Sequence, residues 1–201
     1  MPTFPVDAET PRSLIVNPPL TDAEFEAMCA AEEWFRLERT REGEILMNPP
    51  AGGFTSSANA RINFKLYSWW ETHQRGKVYD SSGGFHLADT SILNPDSAYV
   101  GPAKLKGLKK DSLTGFPRLC PDFVIELLSE SDSVPKAKQK MERWIENGAG
   151  LGSLIDPHKK QVHVYAPGRK PSIVRGKAVE GSGPVAGFIL DLEELWRCYE
   201  I

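Results

Sequence analysis

Three features of the sequence predict a mixed β-sheet flanked by helices, of class α+β or α/β. Phe123-Val-Ile-Glu-Leu-Leu128 is a near-continuous apolar run, the pattern of a central strand covered on both faces. Segments 55–74 and 135–147 carry apolar residues at three- and four-residue steps, as helices packed against a sheet do. Short strand-like stretches recur around them, with no internal repeat and no low-complexity tract.

The elements follow in order. Pro2, Pro5, Pro11, Pro18 and Pro19 deny residues 1–20 a helix, so this stretch reads as an extended arm. Thr21-Asp-Ala-Glu24 is a capping box, and Phe25, Met28 and Cys29 give the short helix after it an apolar face. Strands are expected near 34–40 and 43–48, joined at Arg41-Glu-Gly43 and supported by Trp34, Leu37, Ile45 and Met47. Asn48-Pro-Pro-Ala-Gly-Gly53 breaks the chain. Ile62, Leu66, Trp69 and Trp70 then mark the long helix 55–74. Strands are expected at Lys77–Tyr79, Gly84–Leu87 and Ser97–Val100, with 101–119 a lysine- and glycine-bearing loop holding one helical turn. Strand 123–128 leads to helix 135–147, whose apolar side is Ala137, Met141, Trp144 and Ile145 and whose stop is Asn147-Gly148. Strands Gly152–Ile155 and Val162–Tyr165 follow, with Ser172–Val174 at an edge and a short helix at Leu190–Arg197. His163 alternates with two valines and reads as a surface residue. The expected divisions are an arm with a short helix (1–33), a core (34–175) and a C-terminal extension (176–201).

Composition narrows the function. Among 201 residues, 24 Lys+Arg against 27 Asp+Glu give a net charge of −3, which excludes a polybasic protein but not a local basic patch. Cys29, Cys120 and Cys198 lie far apart and form no CxxC, against a zinc knuckle, a redox pair or a disulfide framework. No apolar run approaches 20 residues, so no membrane span is expected. The N-terminal stretch has acids and prolines in place of a basic-then-apolar signal, and a cytoplasmic location is expected.

The anomaly is Glu126, a carboxylate inside an otherwise buried strand. Burying it unpaired costs several kcal/mol, so it needs a cation, a metal or a proton. Asp96 opens the strand Ser97–Val100. Two carboxylates on neighbouring strands can hold a divalent cation with open positions. A buried salt bridge to Arg or Lys is the alternative for Glu126, and ordinary turn chemistry the alternative for Asp96. Lys136, Lys138 and Lys140 follow on the next helix, Lys136 and Lys140 sharing a face. Either they are solvated surface or one reaches over the carboxylates, in which case replacing it is expected to leave folding nearly unaffected. The four histidines have no metal-ligand spacing, and phosphate-loop, dinucleotide and serine-elbow motifs are absent.

Asn48-Pro-Pro-Ala-Gly-Gly53 with Asn59, Val78–Phe85, Asn94-Pro-Asp-Ser-Ala-Tyr-Val100, Pro121–Ser129, Lys140 through Trp144 to Gly148, and Ile155-Asp-Pro157 occur in a particular order and spacing. In these stretches the chain resembles the bacterial family of putative restriction endonucleases within the PD-(D/E)XK nuclease superfamily, from about Glu42 to Gly168. The resemblance implies a restriction-endonuclease-like fold. Its Pro-Asp falls on Pro95-Asp96 and its following acid on Glu126. Leu128 stands where the usual lysine belongs, and the lysine is matched by Lys140. Asp122, in a second Pro-Asp, is the lesser candidate. Phe54 occupies a position where relatives carry an acid; Glu44 of the preceding strand could substitute, but its charge-rich hairpin with Arg39, Arg41 and Glu42 favours a solvent-facing residue. Asp80, with Ser81 and Ser82, reads as turn structure.

The function implied is a metal-dependent endonuclease. Asp96, Glu126 and the Leu127 carbonyl would bind Mg²⁺ or Mn²⁺, and Lys140 would assist water activation. Nucleic acid, with DNA the expected form, would contact Lys104, Lys106, Lys109 and Lys110. A homodimer is expected. The alternative is a catalytically inactive nuclease-fold module for nucleic-acid binding or assembly.

Overall fold

In the computed structural model residues 12–201 are described, so most of the proline-rich arm lies outside them. The chain runs β1 (Arg12–Leu14), α1 (Asp22–Ala31), β2 (Arg36–Arg39), β3 (Ile45–Asn48), α2 (Gly53–His73), β4 (Lys77–Asp80), β5 (Phe85–His86), β6 (Ile92–Leu93) and β7 (Ser97–Val100). It continues through α3 (Pro102–Leu105), β8 (Phe123–Leu127), α4 (Val134–Glu146), β9 (Leu151–Asp156), β10 (Gln161–Tyr165), β11 (Ser172–Val174), β12 (Ala178–Glu180), β13 (Ile189–Asp191) and α5 (Leu192–Trp196). Short 3-10 turns occupy Lys110–Leu113, Gly183–Val185 and Arg197–Tyr199.

The strands form two main sheets where the sequence suggested one. The larger has the order β11-β10-β9-β8-β7-β4, with β8 parallel to β9 and antiparallel to β7, so the apolar run is an interior strand as expected. The smaller has the order β1-β3-β2-β6-β5 and is antiparallel throughout. Part of the expected arm is therefore a strand, because β1 completes its backbone hydrogen bonding on β3. The hairpin β12–β13 forms a third unit that the sequence pattern did not announce.

Alternation along β8 divides the interior. Phe123, Ile125 and Leu127 enter one cluster with Ala58, Ile62 and Leu66 of α2 and with Val179, Leu190, Leu195 and Trp196 near the C-terminus. Val124 and Leu128 enter another with Met141 and Trp144 of α4. Glu126 shares the parity of that second set and so points toward α4. The same packing corrects His163, which is only 5% exposed because its side of β10 lies beneath α4; its ring contacts the Gln161 amide at 3.0 Å.

Local chemistry sets the helix ends. Thr21 and Glu24 form the expected capping box, with the Thr21 N–H donating to Glu24 at 2.8 Å. Helix α2 closes at Gln74 in the left-handed region (φ 51°), and Gly76 (φ +75°) turns the chain into β4. A Cβ at Gly76 would collide with the Val100 carbonyl, so glycine is required there on two counts. Arg39 fastens α1 to the smaller sheet by pairing with Asp22 at 2.5 Å, over the ring of Phe25. Among the described residues no helix is long and apolar enough to cross a membrane.

Candidate active site

Glu126 is 7% exposed and has two partners, both from α4. Trp144 Nε1 donates to its Oε1 at 2.8 Å, and Lys140 Nζ donates to its Oε2 at 3.0 Å. Lys140 and Trp144 are four residues apart, so one helical face delivers both donors. Lys140 also pairs with Glu38 Oε1 at 2.8 Å and donates to the Asn94 carbonyl at 2.8 Å. All three ammonium protons therefore have acceptors. Burial pushes the Glu126 carboxyl up to about 8; the Lys140 charge works against that rise, while Asp96 and Glu38 add to it. Burial acts to lower the Lys140 pKa, yet Glu126 and Glu38 outweigh it and the ammonium is held more firmly than usual. One cation among several carboxylates explains both directions.

Asp96 sits at the end of the β7–β8 ladder. Its N–H donates to the Ile125 carbonyl at 3.1 Å, and its Oδ2 accepts the Leu127 N–H at 2.8 Å. Its Oδ1 accepts from Asn59 Nδ2 at 3.1 Å. Asn63, one turn further along α2, donates to the Asp96 carbonyl at 3.2 Å and accepts the Ser97 hydroxyl at 2.9 Å. The amides of α2 thus fix the aspartate from one side of the sheet, while the lysine of α4 fixes Glu126 from the other.

Sequence reasoning missed Glu38. It is 3% exposed in β2, touches Lys140, and accepts the Asn94 N–H at 2.7 Å. Its environment matches that of Glu126, but the strand is short and charge-rich, so one more carboxylate carried no signal. Glu44, the substitute considered for the acid absent at Phe54, lines the same cleft, but Glu38 is the carboxylate that meets Lys140. Phe54 is 43% exposed and leans toward the Tyr199 ring.

The other candidates separate. Lys136 is exposed at the rim of the cleft and Lys138 does not line it. Lys104 is tied down: it donates to the Cys120 and Gly148 carbonyls at 2.9 and 2.8 Å and pairs with Asp122 at 3.2 Å. Asp122 also accepts the Gly101 N–H at 2.7 Å, so this second Pro-Asp serves the turn around α3. Lys106, Lys109 and Lys110 are exposed, and none of the four loop lysines lines the cleft. Asp80 accepts from the Ser82 N–H and hydroxyl within its own turn.

Asp96, Glu126, Leu127, Lys140 and Glu38 lie together in one cleft of about 1090 Å³ between the smaller sheet and the ends of β7, β8 and α4. Nine carboxylates against five cationic side chains line it, so its field favours cations. Among the described residues no three His, Cys, Asp or Glu side chains group as the ligands of one ion. The carboxylate oxygens of Asp96 and Glu126 are ligands of the kind a hard cation takes, and the buried Oδ1 of Asn59 beside Asp96 has no hydrogen-bond partner.

A family model described as "Uma2: Putative restriction endonuclease" matches residues 22–193, most of the chain. The chain belongs to the Uma2 family. The Uma2 match spans every site residue, from Glu38 to Lys140. The crystal structure of a putative nuclease from Anabaena variabilis superposes on this Uma2 chain with a TM-score of 0.74 at 20% identity, covering 90% of this chain and 99% of that one. At that identity the likeness carries the fold, a restriction-endonuclease-like mixed α+β architecture. No curated protein matches the sequence.

Proposed function

We propose that this Uma2 protein is a divalent-metal-dependent endonuclease that hydrolyses nucleic-acid phosphodiester bonds, with DNA the expected substrate. The observation that carries this is the buried lysine held between Glu126 and Glu38 in an acidic cleft beside Asp96. A salt bridge made only for stability rarely gathers this much uncompensated negative charge around one ammonium. Asp96 and Glu126 would hold Mg²⁺ or Mn²⁺, with the Leu127 carbonyl as a further ligand. The Leu127 N–H points to Asp96, and in an extended strand N–H and C=O of one residue face the same edge. Bound there, the ion supplies water activation and offsets charge on the leaving oxygen.

The chain's own groups do the rest. Trp144 holds one oxygen of Glu126 in place, and Asn59 and the Leu127 N–H hold Asp96. Lys140 has no spare N–H, so donating to a water or a phosphate oxygen requires releasing one of its three acceptors. Glu38 keeps the ammonium charged and in position while that exchange occurs. A polyanion entering this cleft meets repulsion unless cations are present, so substrate binding as well as cleavage depends on the metal. Lys106, Lys109 and Lys110 remain available for backbone contacts outside the cleft, and a two-fold homodimer would present two sites to two strands.

The test is cleavage of supercoiled DNA and of single-stranded RNA with Mg²⁺ or Mn²⁺, with chelator, and with Glu126→Gln. Metal-dependent nicking of DNA that Glu126→Gln abolishes is expected. Metal-dependent binding without any cleavage of either substrate by wild type would favour the inactive-module alternative.

A further inference from the structure

Asn59 stands out among the buried polar groups of the cleft. It is only 9% exposed, lies on the α2 face turned toward the site, and lines the cleft beside Asp96. Its amide orientation is set, because Nδ2 donates to Asp96 Oδ1 at 3.1 Å. That leaves Oδ1 buried and without a hydrogen-bond partner. An unsatisfied buried acceptor costs about 1–3 kcal/mol, so such groups normally mark a missing donor or cation. Among the described residues no third His, Cys, Asp or Glu groups with Asp96 and Glu126 as a ready ligand set, and Glu38, the further carboxylate of the cleft, is already engaged by Lys140 and the Asn94 N–H. A divalent ion placed there must take its remaining protein contacts from neutral oxygens, and a side-chain amide oxygen is a regular ligand of hard cations.

We infer that Asn59 Oδ1 is a ligand of the divalent cation at the Asp96–Glu126 site. This rests on the proposed function for the existence of that cation, and it assigns α2 a direct part in holding it. Helix α2 then does more than support the sheet: it contributes one donor to position Asp96 and one acceptor to the ion, from a single side chain. The alternative is a purely positioning role, in which the residue acts only through its hydrogen bond to Asp96.

Calorimetric titration of Mn²⁺ into the apo protein separates the possibilities, using wild type, Asn59→Ala and Asn59→Asp. Loss of a ligand in Asn59→Ala should weaken Mn²⁺ binding by at least the roughly 10- to 100-fold that losing an outer-shell partner costs, and the Asn59→Asp variant is what separates the two roles. Asn59→Asp removes the donor to Asp96 but keeps and charges the acceptor, so it should bind Mn²⁺ at least as tightly as wild type. Its apo form should melt lower than wild type, and Mn²⁺ should stabilise it more. Wild-type affinity in Asn59→Ala, or equal weakening in both variants, overturns the assignment while leaving the nuclease proposal standing. No Mn²⁺ binding by wild type overturns both.

Discussion

Lys140 is the residue on which most of the site's electrostatics converge, and its surroundings alter the expectation that replacing it spares the fold. Lys140→Met leaves Glu38 and Glu126 buried against each other with no cation. Breaking a buried ion pair from one side costs about 3–5 kcal/mol. Urea unfolding at pH 7 should show a loss of that order. Cleavage by the folded variant should fall by about two to three powers of ten, the scale of losing one oriented charge-stabilising group. Glu126 gives a second prediction. Its folded pKa of about 8 lies above the ordinary glutamate value of 4.5, so the folded state binds the extra proton between them. Stability without metal therefore falls as pH rises from about 4.5 to about 8. Glu126→Gln removes that slope and should melt above wild type at pH 8 in chelator; an unchanged slope would place the buried proton elsewhere. The sequence showed Glu126 because a charge interrupts an apolar run. It did not show Glu38, whose burial depends on a lysine 102 positions away, nor that Lys104 is consumed by carbonyls up to 44 positions distant.

At the scale of elements, the site is a product of two periodicities meeting. The two-residue repeat of β8 turns Glu126 toward α4, and the four-residue step of α4 brings Lys140 and Trp144 to it together. Trp144→Phe keeps an aromatic ring beside Phe85 but deletes the Nε1 donor to Glu126. It should cost at least about 1–3 kcal/mol, and it should raise the pKa of Glu126, read as a steeper decline of melting temperature toward pH 8. An effect on stability with no change in that decline would mean the indole only fills space. The interior strand and both long helices were legible because their patterns extend over enough residues to be periodic. The hairpin β12–β13 was not, since strands of three residues among glycines and prolines have no period to detect. The division of the strands into two sheets was hidden as well, because partner choice depends on contacts across the chain.

For the whole molecule, the cleft lies where the smaller sheet, the ends of β7 and β8, and both long helices meet. Its excess of carboxylates gives the cleft a field that favours cations. A dimer would let two such clefts act on one duplex, and light scattering at micromolar concentration should give twice the chain mass; a monomer would require single-strand nicking instead. The most direct measurement is a thermal melt at neutral pH, with and without millimolar Mn²⁺, on wild type and on the double variant Asp96→Asn, Glu126→Gln. Wild type should be stabilised by the ion through mass action, by about 2.7 kcal/mol at a hundredfold excess over its dissociation constant. The double variant should show no metal response and an apo stability equal to wild type or higher. A wild type that ignores Mn²⁺, or a double variant that shifts as far as wild type does, would contradict the assignment of Asp96 and Glu126 as the metal site.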